Sequence, residues 1–271
     1  MLAVDVFRAP KGVRSMTAYR EPGTEDDGAS VHTDYSQDGP PSPGPLEPRP
    51  ITFRLGTRTV RAVGASSDRH HPNVLRIRIR PTLFDRAVQG FFRLASVLLP
   101  SLRTAVPEWF LPRDIVLKRK KYGWDEEFET ELQTYEKLRP VQGRVVPVFY
   151  GRVDYQGAPA IVLSDVGGVC LAEPAGAVLE PEALGPLLHL AQSVLADLGV
   201  LHDDIKLDNF RLADSGDQIW IVDLERVVTD LDEEDLRFMV DSNTSRLLGY
   251  YQNNLACFAS DGTVTRPLKG R

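Results

Sequence analysis

Apolar and polar residues alternate with a period of two along several stretches of the chain, as they do in strands buried on one face. Ile51–Leu55 (ITFRL) and Val74–Arg80 show this pattern. In the second, Leu75, Ile77 and Ile79 fall on one side and Arg76, Arg78 and Arg80 on the other. Asp114–Lys118 (DIVLK) and Arg144–Asp154 read as further strands. Ala158–Ser164 (APAIVLS) is nearly all apolar, as expected of a strand covered on both faces, and Gln156–Gly157 turns the chain into it. A helical period predicts four helices. The first is Leu83–Leu99, bounded by Pro81 and Pro100, and the second starts at Asp125 as its N-cap and ends before Pro140. Pro186–Leu198 lies between Gly185 and Gly199, and the last is Glu233–Leu248. Phe210–Ala213 and Gln218–Val222 predict a short hairpin about the turn DSGD.

No such pattern precedes Ile51. The run from Glu21 to Pro50 is dense in Gly, Pro, Ser and Asp and ends in GPPSPGPLEPRP, so residues 1–50 are expected to form a disordered tail. The remainder of the 271 residues is enough for a domain of two parts. A net charge of −6 points away from nucleic acid or an anionic membrane as the main partner. The most apolar run, Phe91–Leu99, is interrupted by Arg93 and is far too short to span a bilayer. With no signal-peptide pattern, a soluble intracellular protein, cytoplasmic or nuclear, is expected. Cys170 and Cys257 are far apart and have no metal-ligand spacing. His70, His71 and His189 read as surface residues, and the arginine row as a solvated face with anion binding as its alternative.

The chemistry concentrates in two segments, LHDDIKLDN at Leu201–Asn209 and IVDLE at Ile221–Glu225. His202, Asp204 and Asn209 stand in the register H-x-D-x-x-x-x-N, with Lys206 two residues after the aspartate. The hairpin between the segments brings Asn209 and Asp223 to one cleft. Upstream, the stripe Phe128, Leu132, Tyr135 and Leu138 carries Glu131 on its buried side, where a carboxylate calls for a cation. Lys118, ending DIVLK, is the candidate.

On these motifs the chain resembles the protein-kinase-like superfamily, as a compact, truncated member similar to fungal protein-kinase-like domain proteins. More distantly it resembles small atypical kinases and the aminoglycoside and choline phosphotransferases. The resemblance runs from about Asp114 to Val228, less than half the chain. It implies an α+β, two-lobed fold with a small β-rich N-lobe (51–165) and a shortened helical C-lobe (166–271). It implies ATP and Mg²⁺ as cofactors, and transfer of the γ-phosphoryl to a hydroxyl on a protein or a small molecule. The catalytic set would be Asp204, Lys206 and His202, with Asn209 and Asp223 holding the metal. Lys118, paired with Glu131, would hold the nucleotide, as would a hinge of Leu163, Ser164, Asp165 and Val166. Departures are equally specific. No G-x-G-x-x-G loop precedes DIVLK, Glu225 stands where D-F-G has its glycine, and no A-P-E follows. A pseudokinase acting as a nucleotide-binding or structural module is therefore the rival reading, and a small-molecule kinase the second. Neither nucleic acid nor membrane is an expected partner.

Overall fold

Arg49–Leu55 (β1) buries Ile51, Phe53 and Leu55 and turns through Gly56–Thr57 into Arg58–Ser66 (β2). The computed structural model describes residues 47–67 and 71–263; nearly all of the expected tail, and His70, lie outside them. Val74–Ile79 (β3), Asp114–Arg119 (β4), Phe149–Tyr155 (β5) and Ala158–Ser164 (β6) complete an antiparallel sheet of order β1-β2-β3-β4-β6-β5. The sheet curls until its edges meet, and a Cβ on Gly151 of β5 would lie 3.1 Å from Leu55 of β1. Its concave side holds one apolar core, including Phe53, Leu75, Ile77, Ile115, Leu117 and Val162.

Between β3 and β4 the chain forms Leu83–Leu98 (α1), the short Leu102–Ala105 (α2) and a single 3₁₀ turn at Pro107–Trp109. Thr82 caps α1 reciprocally with Asp85. Buried Arg58 joins these pieces to the sheet, with its Nε 3.6 Å from Asp85 Oδ1 and its Nη1 donating to the Glu108 carbonyl at 2.8 Å. Glu108 in turn accepts from Thr57 N and Oγ1, which ties down the β1–β2 turn.

Asp125–Lys137 (α3) follows β4, and the second core gathers beneath it around Pro181–Ala196 (α4) and Glu233–Ser260 (α5). The short strands Val169–Cys170 (β7), Leu201–His202 (β8), Phe210–Leu212 (β9), Ile219–Ile221 (β10) and Val227–Val228 (β11) lie in this half.

Several boundaries differ from the sequence reading. Trp124, not Asp125, is the N-cap of α3, and Asp125 sits in the first turn, where its charge suits the helix N-terminus. The strand expected from Arg144 begins only at Phe149, because Pro147 lacks the N–H a ladder needs. Helix α4 starts at Pro181, five residues before Pro186, so Gly185 is internal. A side chain there would meet Leu248 of α5 at 3.2 Å, so Gly185 serves the packing of two helices. Helix α5 continues past Leu248 to Ser260, and buried Tyr251 on this extension donates to the Leu179 carbonyl at 2.9 Å.

Candidate functional site

The period of two on neighbouring strands builds the roof of a cleft. On β4, Ile115 and Leu117 enter the sheet core, so Val116 and Lys118 point the other way. On β6, Ala160 and Val162 enter that core, while Ile161 and Leu163 belong to the core of the helical half. The registers Val74↔Lys118, Arg76↔Val116 and Val116↔Leu163 set these outward residues side by side. A cavity of about 350 Å³ opens beneath them. Val74, Val116, Leu163 and, from the opposite wall, Val222 make its apolar part; Lys118, Glu131, Asn209 and Asp223 line its polar part.

The opposite wall is an interrupted antiparallel hairpin. Strand β9 pairs with β10 through Phe210↔Ile221, and β8 pairs with β11 through His202↔Val227. Between the two ladders, residues 203–209 and 222–226 leave the pairing together, and each loop is pinned at both ends. Val222 N still donates to the Asn209 carbonyl at 2.9 Å. Asp223 has φ +62°, the left-handed region, which among the described non-glycine residues it shares only with Gln156 in the β5–β6 turn. This backbone is unfavourable for a residue with a Cβ, and it is held by its neighbours. His202 donates from Nε2 to the Asp223 carbonyl at 2.9 Å. Burial pushes the imidazole below its usual range, so His202 serves as a neutral strut.

Lys118 is the hub. Its Nζ lies 2.9 Å from Glu131 Oε2, 2.8 Å from Asp223 Oδ1 and 3.0 Å from Glu225 Oε1. Lys121 Nζ reaches the other Glu225 oxygen at 2.7 Å. The three carboxylates come within 4.8 Å of one another, with the Lys118 ammonium among them. Burial pulls Lys118 down, but the three negative neighbours outweigh it and hold the amine well above its ordinary value. Burial pushes the Glu131 carboxyl up to about 7 against the pull of Lys118. Asp223 is partly open; there the attraction of Lys118 overcomes burial and keeps the carboxyl below the usual carboxylate range.

Asn209 Nδ2 donates to the Asp204 carbonyl at 2.9 Å and to its carboxylate at 3.1 Å, which leaves the Asn209 side-chain oxygen as an acceptor at the cavity. Lys206 Nζ lies 2.9 Å from Asp204 Oδ1. Together Lys206 and Asn209 outweigh the effect of burial and keep the Asp204 carboxyl below its ordinary value. Ser164, Asp165 and Val166 line the cavity where the chain leaves β6 for β7. Ser164 Oγ accepts from Val148 N at 2.9 Å, and Asp165 Oδ1 accepts from Gly167 N at 3.0 Å.

The structure thus gathers every residue proposed from sequence around one cleft. His202, Asp204 and Lys206 stand beside its lining and the others are within it. Sequence reasoning missed three contributors. Glu225 was read as a lost glycine, yet it completes the ring about Lys118. Arg76, from the arginine row, lines the cavity and approaches Asp165 Oδ1 at 3.8 Å. Arg211 lines it too, donating to the carbonyls of Gly167 and Gly168 at 2.9 and 2.7 Å. The alternation in β3 put Arg76 on the same face as Val74; only the register with β4 turns that face into a cleft wall.

No protein-family model matches the chain, and no curated protein does. Among solved structures, the kinase domain of Mycobacterium tuberculosis PknI is similar at 16% sequence identity and a TM-score of 0.40. The match covers 52% of this chain and 65% of that one, so the chain spans a little under two thirds of that domain's length. A likeness so distant transfers no residue role.

Proposed function

We propose that the chain is an ATP-dependent phosphotransferase of the protein-kinase type, with residues 51–165 and 166–271 as its two lobes. The observation that carries this reading is Lys118, held at once by Glu131 on α3 and by Asp223 on the opposite wall. An ammonium so fixed, beside an apolar slot, suits a nucleotide whose base enters between Val74, Val116, Leu163 and Val222 and whose phosphates meet the lysine. The backbone at Ser164–Val166 faces the edge of the base. The donors also fit a hard divalent cation, because the carboxylate of Asp223 and the side-chain oxygen of Asn209 both line the cavity. Mg²⁺ bound there would supply neutralisation of phosphate charge. Asp204, kept anionic by Lys206 and Asn209, orients the acceptor hydroxyl and takes its proton, and Lys206 offsets charge on the group in transfer.

Only residues 227–232 join this loop to α5, too short a segment to form an extended peptide platform, which favours a small hydroxyl-bearing acceptor. One observation supports the rival reading, a nucleotide-binding module without turnover. Glu225 competes with phosphate for Lys118.

Thermal unfolding with and without Mg·ATP tests the site. Binding at a hundredfold excess over Kd should stabilise the parent by about 2.7 kcal/mol, and Lys118→Met or Asp223→Asn should remove most of that gain. A parent unmoved by Mg·ATP refutes nucleotide binding. Stabilisation without release of ADP in the presence of candidate acceptors leaves the binding module as the answer.

A further inference from the structure

Helix α1 exposes an apolar face that the fold does not use. Leu83, Phe84, Phe91, Leu94, Val97 and Leu98 are each 66–84% exposed. Positions 84, 87, 91, 94 and 98 form one stripe along the helix, and 83, 90 and 97 run beside it, with Ala87 and Gly90 as its small members. The opposite side is anchored: Asp85 and Ser96 are buried, and Phe92 packs near Trp109 with ring centroids 5.9 Å apart. The exposed stripe therefore belongs to a rigid, docked helix.

Beside it lies a cavity of about 390 Å³ whose lining includes Arg80, Arg86, Arg93 and Arg113 and no carboxylate. None of these four arginines makes an ion pair among the described residues. Arg86 and Arg93 are on α1 itself, so cations flank the apolar stripe along its length. The chain's net charge of −6 is an average, and this face departs from it.

We propose that α1 is a membrane-surface helix. Its apolar stripe enters the headgroup boundary of an anionic bilayer, and the arginine-lined cavity takes lipid phosphates. A Phe/Leu/Val face with arginines beside it is the composition that lies in such an interface, and planar guanidinium groups suit phosphate oxygens. No described helix is long and apolar enough to cross a membrane, so α1 lies on the surface. Charge decides against a second copy as the occupant, since packing through α1 would bring two unpaired arginine clusters together.

The test is co-sedimentation of the full chain with phosphatidylcholine vesicles, with and without phosphatidylserine, at low and high salt. Binding should require phosphatidylserine and weaken with salt. Arg86→Gln/Arg93→Gln should reduce the partition coefficient roughly thirtyfold, and Phe91→Ser/Leu94→Ser about a hundredfold or more. Both variants should keep the parent's melting temperature, because the substituted side chains are exposed. Absence of sedimentation with anionic vesicles overturns the proposal, as does binding that neither double variant weakens. A dimer in sedimentation velocity that Phe91→Ser/Leu94→Ser dissociates, without vesicle binding, would assign the face to self-association instead.

Discussion

Glu131 offers a quantitative test of the balance at the centre of the cleft. Glu131, Asp223 and Glu225 share two ammonium groups, Lys118 and Lys121, so the cluster carries one surplus negative charge when all are ionised. Glu131 is the carboxylate with almost no solvent, its side chain 1% exposed. Burial, with the charges of Asp223 and Glu225 added to it, outweighs the pull of Lys118 there and pushes the carboxyl from an ordinary 4.5 up to about 7. A carboxyl whose folded pKa lies above its unfolded one makes the native state bind more protons, so stability falls as pH rises between the two values. Each unit corresponds to about 1.4 kcal/mol, so the decline over this window is about 3 kcal/mol. Glu131→Gln keeps the shape and removes the titration. Urea unfolding of parent and variant at intervals from pH 4 to pH 8 should show the variant gaining on the parent by about 3 kcal/mol over that range, with most of the change between the two pKa values. A stability difference that stays constant with pH would refute the argument, since it would mean that Lys118 neutralises Glu131 as fully as water does. Lys118 itself, with its folded pKa raised, stabilises throughout this range and loses that contribution only in strong alkali.

Asp204→Asn should keep Mg·ATP affinity within a few-fold while reducing phosphoryl transfer by about a hundredfold or more, measured on the same preparations; equal turnover in both proteins would remove Asp204 from the chemistry. Arg58→Met strips the cation from buried Asp85 and the donor from the Glu108 carbonyl, and should cost about 3 kcal/mol in denaturant unfolding. Gly168→Ala puts a Cβ 2.3 Å from the Leu212 carbonyl oxygen at a φ of +65°, so a loss of about 2 kcal/mol or more is expected, and a neutral result would show that the crossing segment yields.

How much of this was legible in the sequence depended on where each residue's signal lay. The alternation in Val74–Arg80 identified a strand because large apolar side chains faced arginines. The neighbouring strand β2 was not read: its inward residues, Val60, Ala62 and Gly64, are no more apolar than the outward Val63 and Ala65. Small residues are required there. A Cβ on Gly64 would sit 2.1 Å from the Arg76 carbonyl oxygen, so the feature that lets β2 pair with β3 also hides the strand. Helix α4 was shortened for a similar reason, since a glycine needed for helix packing looks like a terminator in sequence.

The site divides along the same line. Asp204 and Asn209 contact each other within one short loop, so their spacing announces them. Lys118 meets Asp223 across 105 positions, and no local pattern states that contact; the physical demand of a carboxylate on a buried helix face pointed Lys118 to Glu131 alone. Glu225 shows the opposite error. Against a motif that expects glycine, it counted as a loss. In the structure its two oxygens hold Lys118 and Lys121 separately. Removing that carboxylate would leave Lys121 without its partner and reduce by one the charges around Lys118. The position places a third anion at the hub, and its charge adds a small part to the burial that raises the Glu131 carboxyl.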